Sequence, residues 1–223
     1  MGEMIEFGAN GGTAVGYLAM PELPGPGVIV LQEWWGLVGH IKSVADRFAA
    51  EGFVAFAPDL YDGESATEPD DAASLFMALN IDHTAKQLAG AVKMMQELPA
   101  VEGKVGVVGF CMGGQLSMYA AATNPEIAAC VNFYGVHPNV HPPFEKLQAP
   151  MLGLFAEHDD YASPAVVQTL DEKLTQLGKT HNFVTYPGAH HAFFNDERSS
   201  VYNADAAEDA WKRTLAFFRA NLS

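Results

Sequence analysis

The chain contains the stretch Val105-Gly106-Val107-Val108-Gly109-Phe110-Cys111-Met112-Gly113-Gly114 near its middle. Its first half is an apolar run typical of a buried strand, and residues Gln115 to Ala122 have a helical pattern. Cys111 therefore stands at a sharp strand-to-helix turn, where Gly109 and Gly113 leave room for a strained backbone. The dipole of the following helix would favour a thiolate here and an oxyanion beside it. The stretch predicts a nucleophile elbow, although a cysteine between glycines can also be a small core residue.

Strand-type and helix-type patterns alternate along most of the remaining chain. The predicted strands are Val28–Leu31, Phe53–Ala57, Lys104–Val108, Ile127–Phe133, Met151–Phe155 and His181–Tyr186. The predicted helices are Ile41–Ala49, Ala72–Leu79, Thr84–Leu98, Gln115–Ala122, Pro164–Leu177 and Ala204–Asn221. Met4–Phe7 and Thr13–Met20 read as a hairpin around the turn at residues 9–12. We expect one α/β domain over residues 1–223, with a mostly parallel sheet, helices on both faces and an N-terminal antiparallel hairpin.

Composition limits the function classes. Twelve Lys and Arg against 27 Asp and Glu give a formal net charge of −15, which argues against nucleic acid and anionic membrane partners. The N-terminus has no signal-peptide pattern, and the longest uncharged run is interrupted by glycines and polar residues. Two cysteines imply no disulfide framework. We therefore expect a cytoplasmic monomer that acts on a small molecule.

Partners for Cys111 are expected downstream, where two loops follow predicted strands. Asp159 follows the strand that starts at Met151, and His191 follows the strand that starts at His181. Because the carboxyl ends of parallel strands meet at one edge of the sheet, the three side chains can come together as nucleophile, acid and base. From the residues alone, Asp160 and His190 could fill the same roles.

Glu33 is a fourth candidate, since it follows the strand Val28–Leu31 and precedes two tryptophans. Partial desolvation there would favour its protonated form and let it exchange a proton with the thiol. A surface-facing loop carboxylate is the alternative.

Several motifs together resemble the dienelactone hydrolase family, a branch of the α/β-hydrolases with cysteine in place of the usual serine. The resemblance spans nearly the whole chain. Its motifs are Gln32-Glu33-Trp34-Trp35-Gly36, Ala57-Pro58-Asp59-Leu60-Tyr61, Gly109-Phe110-Cys111-Met112-Gly113-Gly114 and Gly188-Ala189-His190-His191-Ala192-Phe193.

The resemblance implies a carboxymethylenebutenolidase-like carboxylic ester hydrolase of the α/β-hydrolase fold that needs no cofactor or metal. It favours His191 over His190 and Asp159 over Asp160 as the triad partners of Cys111. It also implies that Glu33 holds or receives the thiol proton. The backbone N–H groups of Met112 and Trp34 would form the oxyanion hole, and the reaction would pass through a thioester.

One departure from the family bears on the substrate. The family binds the substrate carboxylate with arginines, one of them shortly after the histidine, but no arginine occurs here between Arg47 and Arg198. A less anionic ester, cleaved by a general carboxylesterase, is therefore an alternative to dienelactone. Lys86 or Arg198 could replace the missing cation.

Other interpretations remain open at the level of sequence. The cluster His158, Asp159, Asp160, His190 and His191 contains side chains that can ligate a metal. The chain could also be a binding scaffold, or Cys111 a redox-sensing thiol. Trp34, Trp35, Tyr134 and Phe110 are expected to line an acyl pocket, with core packing as the alternative.

Overall fold

Eight strands form one sheet in the computed structural model, which describes residues 2–9 and 12–223. The strands are β1 (Glu3–Ala9), β2 (Gly12–Ala19), β3 (Gly25–Leu31), β4 (Val54–Pro58), β5 (Val101–Phe110), β6 (Ile127–Phe133), β7 (Met151–His158) and β8 (His181–His190). The helices are α1 (Gly39–Ala50), α2 (Pro69–Ala78), α3 (Ile81–Glu97), α4 (Met112–Thr123), α5 (Pro164–Gln176) and α6 (Ala204–Leu222).

The spatial order of the strands is β1-β2-β4-β3-β5-β6-β7-β8. The pairs β1–β2 and β2–β4 are antiparallel, and β4, β3, β5, β6, β7 and β8 run parallel. The mostly parallel sheet and the antiparallel N-terminal hairpin are thus confirmed. The predicted turn of that hairpin contains Asn10 and Gly11, which lie outside the described residues.

Helices cover both faces of the sheet, as the buried, uncharged central strands β3, β4 and β6 require. On one face α1 packs against α6 through Phe48, whose ring lies 4.5 Å from that of Trp211. The two faces can be told apart along β5, because alternate residues of a strand point in opposite directions. A Cβ atom on Gly106 would meet Phe218 of α6, whereas one on Gly109 would meet the first turn of α4.

Helix boundaries were predicted least well. Helix α4 begins at Met112, three residues before the predicted start, because Gly113 and Gly114 have low helix propensity and concealed its first turn. Helix α3 begins at Ile81, after Asn80 accepts the backbone N–H of His83 as N-cap. The short 3-10 helix Phe144–Lys146 was not predicted.

The topology gathers the candidate residues at one edge of the sheet. The strands β3, β5, β7 and β8 are parallel, so the segments that follow them lie on the same side. Glu33 follows β3, Cys111 follows β5, Asp159 follows β7 and His191 follows β8. Within residues 2–9 and 12–223, no helix combines the length and the apolar character needed to cross a membrane.

Candidate active site

Cys111 occupies a strained turn between β5 and α4. Its backbone angles are φ 53° and ψ −117°, in a region that favours glycine. A Cβ atom on Gly109 would overlap the carbonyl group of Gly113, and one on Gly113 would overlap the carbonyl oxygen of Leu31. The turn is held by a 3.0 Å hydrogen bond from the Cys111 N–H to the carbonyl of Phe133. The glycines therefore have the predicted steric role. Only 7% of the Cys111 residue is exposed.

Asp159 and His191 form a hydrogen-bonded pair beside this turn. Nδ1 of His191 lies 2.7 Å from Oδ2 of Asp159, whose side chain is buried. The other carboxylate oxygen accepts the backbone N–H groups of Tyr161 at 2.8 Å and Ala162 at 2.9 Å. The turn that follows β7 thus fixes the carboxylate, and the carboxylate orients the imidazole.

Asp160 and His190, the alternative candidates for the triad, do not lie at the buried site. Asp160 and His190 are exposed. The His190 ring packs against that of His158, 5.3 Å away, on the outer part of β7 and β8. Neither residue makes the buried carboxylate–imidazole pair that Asp159 and His191 make.

The surroundings of His191 favour its charged form. Burial alone disfavours the imidazolium, but the interactions with Asp159 and with Cys111, together with their charges, raise the pKa of His191 to about 10. With Nδ1 bonded to Asp159, Nε2 is the nitrogen left for the thiol. Cys111 and His191 line the same pocket, so an exchange of a proton between the thiol and this nitrogen is sterically reasonable.

Glu33 is buried and not surface-facing, since only 2% of the residue is exposed. Its Oε2 accepts a 2.6 Å hydrogen bond from Nδ2 of Asn195, and its Oε1 accepts the hydroxyl of Tyr134 at 3.3 Å. The carboxyl group lines the same pocket as Cys111 and His191. Sequence reasoning found Glu33 but not Asn195, which lies four residues after His191 and could have been noticed as a polar side chain in a catalytic loop.

The backbone N–H groups of Met112 and Trp34 were predicted to form an oxyanion hole. Met112 is the first residue of α4, where the N–H groups have no acceptor within the helix. In the part of the chain that the structure describes, neither the Met112 N–H nor the Trp34 N–H has a hydrogen-bond acceptor. Both donors belong to segments adjoining Cys111 and Glu33, so their role in binding an oxyanion stays a prediction.

The site opens into a pocket of about 450 Å³ with mostly apolar walls. Trp34 and Trp35 line it, as predicted. The other lining residues are Glu33, Phe76, Cys111, Val136, Pro138, Tyr161, His191, Ala192, Arg198, Ser200 and Val201.

Phe110 and Tyr134 do not line this pocket, which corrects their prediction as wall residues. Both are fully buried. The Phe110 ring is stacked with that of Phe194, 5.2 Å away, because as the last residue of β5 it points into the core. Tyr134 lies behind the site, with its hydroxyl on Glu33 and its ring edge-on to His191.

Arg198 supplies a cation to the pocket wall. Its guanidinium carbon lies 3.4 Å from the centre of the Trp35 ring, a cation–π stack. Lys86, the other cation considered, is exposed on α3 and is not a lining residue. Sequence reasoning also missed Phe76 and Val136, since nothing in their local pattern distinguishes them from core residues.

The candidate metal ligands do not converge. Among residues 2–9 and 12–223, no group of three or more His, Cys, Asp or Glu side chains is arranged to hold a metal ion. His158 and His190 are neighbours, but Asp159 turns inward to His191.

Comparisons with known proteins identify the family of the chain. The profile of the dienelactone hydrolase family matches residues 15–222. The chain is 41% identical to the protein named usf of Aquifex pyrophilus, and 36% identical to an Aquifex aeolicus protein with the provisional name carboxymethylenebutenolidase; both alignments cover 100% of each chain. A Klebsiella pneumoniae crystal structure with the provisional name dienelactone hydrolase superposes with a TM-score of 0.87 at 29% identity, covering 98% of this chain and 99% of that one. The chain therefore belongs to the dienelactone hydrolase family, and it is a hydrolase that acts on a lactone or an ester.

Proposed function

We propose that the protein hydrolyses a small ester or lactone of the carboxymethylenebutenolide kind, with Cys111 as nucleophile, His191 as base and Asp159 as the acid of the triad. The observation that carries this proposal is the position of Cys111 at a strained, glycine-walled turn beside the 2.7 Å His191–Asp159 hydrogen bond. The strain costs on the order of 1–3 kcal/mol and is characteristic of functional sites.

The mechanism begins with attack of the Cys111 thiolate on the carbonyl carbon. The electron pair of the C=O π bond moves to oxygen, and this oxyanion accepts the N–H groups of Met112 and Trp34, each worth roughly 3 kcal/mol in comparable sites. The C–O bond then breaks, and the leaving oxygen takes a proton from the His191 imidazolium. In a lactone this opens the ring.

The thioester is hydrolysed in a second half-reaction. His191 takes a proton from water as the hydroxide oxygen attacks the thioester carbon. Collapse of the tetrahedral intermediate breaks the C–S bond and returns the thiolate, with the imidazolium beside it. Every group in this cycle belongs to the chain itself, so we infer that no cofactor or metal takes part.

We propose a carboxylate-bearing lactone as the substrate class, recognised by Arg198. The apolar walls suit a small conjugated ring, and the guanidinium held on Trp35 can meet a carboxylate bidentately. Several relatives carry carboxymethylenebutenolidase names, which supports this choice. The alternative is a less anionic ester, because Asn195 stands in the loop where the family has an arginine.

We also infer a cytoplasmic monomer that binds neither nucleic acid nor membranes. The net charge of −15 supports the inference that the protein binds neither nucleic acid nor anionic membranes. Cys111 and Cys130 are both free and buried, which suits a reducing compartment. All proposed site residues come from one chain, so a single copy forms a complete site.

The test compares hydrolysis of p-nitrophenyl acetate and of a dienelactone by the wild type, Cys111→Ala and Cys130→Ala. Cys130 is a matched control, since it is a buried thiol in the core beside Ser117. We expect Cys111→Ala to lose both activities and Cys130→Ala to keep both. Equal activity of Cys111→Ala and the wild type would overturn the nucleophile. Activity on the acetate alone would favour the less anionic ester.

A further inference from the structure

Part of the pocket wall comes from two segments that are far apart in the sequence. Phe76 belongs to α2, whereas Val136 and Pro138 belong to the loop that follows β6. His137 stands between Val136 and Pro138, and only 4% of the residue is exposed. Its imidazole faces the carboxyl end of α2. This histidine therefore joins the two segments behind the wall.

Both ring nitrogens of His137 have a partner. Nε2 lies 3.0 Å from the carbonyl oxygen of Phe76, which can only accept, so this nitrogen carries the hydrogen. Nδ1 accepts the backbone N–H of Asn139 at 3.1 Å. Burial lowers the pKa of His137 below its ordinary value, although the hydrogen bond to Phe76 opposes this effect. The ring is thus neutral above pH 7, and its partners fix one tautomer.

Helix α2 depends on contacts at its carboxyl end. Within Pro69–Ala78, Ala72 is the one residue that is buried, and Leu75 packs beside it while partly exposed. A helix of ten residues has little stability of its own. The carbonyl of Phe76 lies in the last turn, where carbonyl groups have no N–H partner within the helix. The hydrogen bond from His137 therefore caps α2.

The side chain of Phe76 is held between two other aromatic rings. Its centre lies 4.3 Å from that of His137. It lies 6.4 Å from that of Trp34, in an edge-on arrangement, and Trp34 also lines the pocket. His137 thus contacts both the backbone and the ring of Phe76.

The loop that contains His137 is itself bonded to the turn at Cys111. The backbone N–H of Val136 donates to the carbonyl of Cys111 at 3.2 Å. The same carbonyl accepts the N–H of Gly114 at 2.9 Å, so it belongs to the first turn of α4. The position of Phe76 is therefore set relative to Cys111 through Val136 and His137.

We propose that His137 is a positioning residue that holds Phe76 in the pocket wall and thereby limits the hydrolase to short acyl groups. Without the hydrogen bond to Phe76, the carboxyl end of α2 moves away more readily, and the pocket of about 450 Å³ accepts longer chains. The inference rests on the proposed function, since it takes the pocket at Cys111 as the substrate site.

The first test measures kcat and KM at pH 7.5 for p-nitrophenyl acetate and p-nitrophenyl octanoate. His137→Phe keeps a ring but loses both hydrogen bonds, whereas His137→Gln keeps a donor. We expect His137→Phe to raise the octanoate-to-acetate ratio of kcat/KM roughly two- to tenfold, which is the effect of one hydrogen bond on the position of α2. The change should appear in KM for the octanoate, because Phe76 would contact the acyl chain and not the scissile bond. His137→Gln should restore the wild-type ratio.

Two further variants complete this test. Phe76→Ala removes the wall itself and should raise the same ratio roughly tenfold or more, since a single methylene in an apolar pocket can have an effect of that size. His141→Phe, at an exposed histidine of the same loop, is the control and should match the wild type. A wild-type ratio in His137→Phe would overturn the role of His137. A wild-type ratio in Phe76→Ala would overturn the role of the wall.

The second test is hydrogen exchange of the peptide that covers Pro69–Ala78, followed by mass. This peptide should exchange roughly two- to tenfold faster in His137→Phe, because α2 opens more easily without its cap. His137→Gln and His141→Phe should exchange like the wild type. Unchanged exchange in His137→Phe would show that His137 does not hold α2.

Hydrogen exchange needs no ester turnover, so the two kinds of failure can be told apart. A wild type that is inactive on both esters would overturn the proposed function and the limit on acyl length. Faster exchange in His137→Phe would then still support the contact between His137 and α2.

Discussion

The guanidinium group of Arg198 lies over the Trp35 ring, with 3.4 Å between the guanidinium carbon and the ring centre. Both side chains line the pocket that contains Cys111. The tryptophan thus holds a long, flexible side chain in one place and reduces the conformational entropy lost when a ligand binds. This relationship makes Arg198 the first residue to vary when substrate preference is measured.

Arg198→Gln should weaken binding of a carboxylate-bearing lactone but not of a neutral ester. We expect KM for the dienelactone to rise roughly tenfold or more, because a hydrogen bond to a charged group contributes about 1.5–3 kcal/mol. KM for p-nitrophenyl acetate should change little. Arg219→Gln, at an exposed ion pair with Glu51, is the control. Equal changes in KM for both substrates would contradict recognition of the carboxylate.

Asp159→Asn should lower kcat by roughly 10³-fold or more, because the variant stabilises the wrong tautomer of His191 and loses the charge opposite the imidazolium. Steady-state kinetics measure the effect. Asp160→Asn, the exposed neighbour, is the matched control and should keep activity near that of the wild type. If Asp160→Asn lost activity and Asp159→Asn did not, the assignment of the triad acid would be wrong.

His191 should make the stability of the folded protein depend on pH. Its folded pKa of about 10 lies above the ordinary value of about 6.5, so the native state binds more protons between these limits. The stabilisation is fully present below pH 6.5 and is lost as the pH rises through 10. We expect the difference in unfolding free energy between the wild type and His191→Asn to fall over this range. Urea unfolding of both proteins at a series of pH values measures this difference in free energy. A difference that stays constant with pH would contradict a raised pKa of His191 in the folded protein.

Cys111→Gly should be more stable than Cys111→Ala. The backbone at φ 53°, ψ −117° strains any residue with a Cβ atom by on the order of 1–3 kcal/mol, which exceeds the entropic cost of glycine of roughly 0.5–1 kcal/mol. We expect a difference of about 1 kcal/mol in unfolding free energy. At Cys130, in the middle of β6, the order should reverse, with alanine more stable than glycine. The same order at both positions would argue against strain at the elbow.

The sequence predicts the parts of this site that rest on local backbone chemistry. Cys111 was located because the glycines on either side are needed to relieve a steric conflict that any residue at the turn creates. Asp159 and His191 were found because residues that follow parallel strands must meet at one edge. Their hydrogen bond is the geometry that this reasoning anticipates, while their catalytic roles remain predictions.

Other features of the site could not be predicted, because they depend on contacts between segments that are distant in the sequence. Phe110 directly precedes Cys111 in the sequence, and Tyr134 follows the strand next to it in the sheet. Only three-dimensional packing decides that both rings are buried in the core. Asn195 lies 162 positions from Glu33, and no local pattern relates the two. The start of α4 was misplaced for a different reason, because glycines with low helix propensity form its first turn.

The 7% exposure of Cys111 limits which chemicals can reach the sulfur. The proposed nucleophile is recessed in an apolar pocket, so we expect it to react with small or flat electrophiles and to resist bulky ones, including other proteins and large disulfides. We therefore expect Cys111, as the proposed nucleophile, to form mixed disulfides slowly with proteins and other bulky partners. A selective covalent inhibitor should carry its electrophile at the end of a flat apolar group, with an anion placed to meet Arg198.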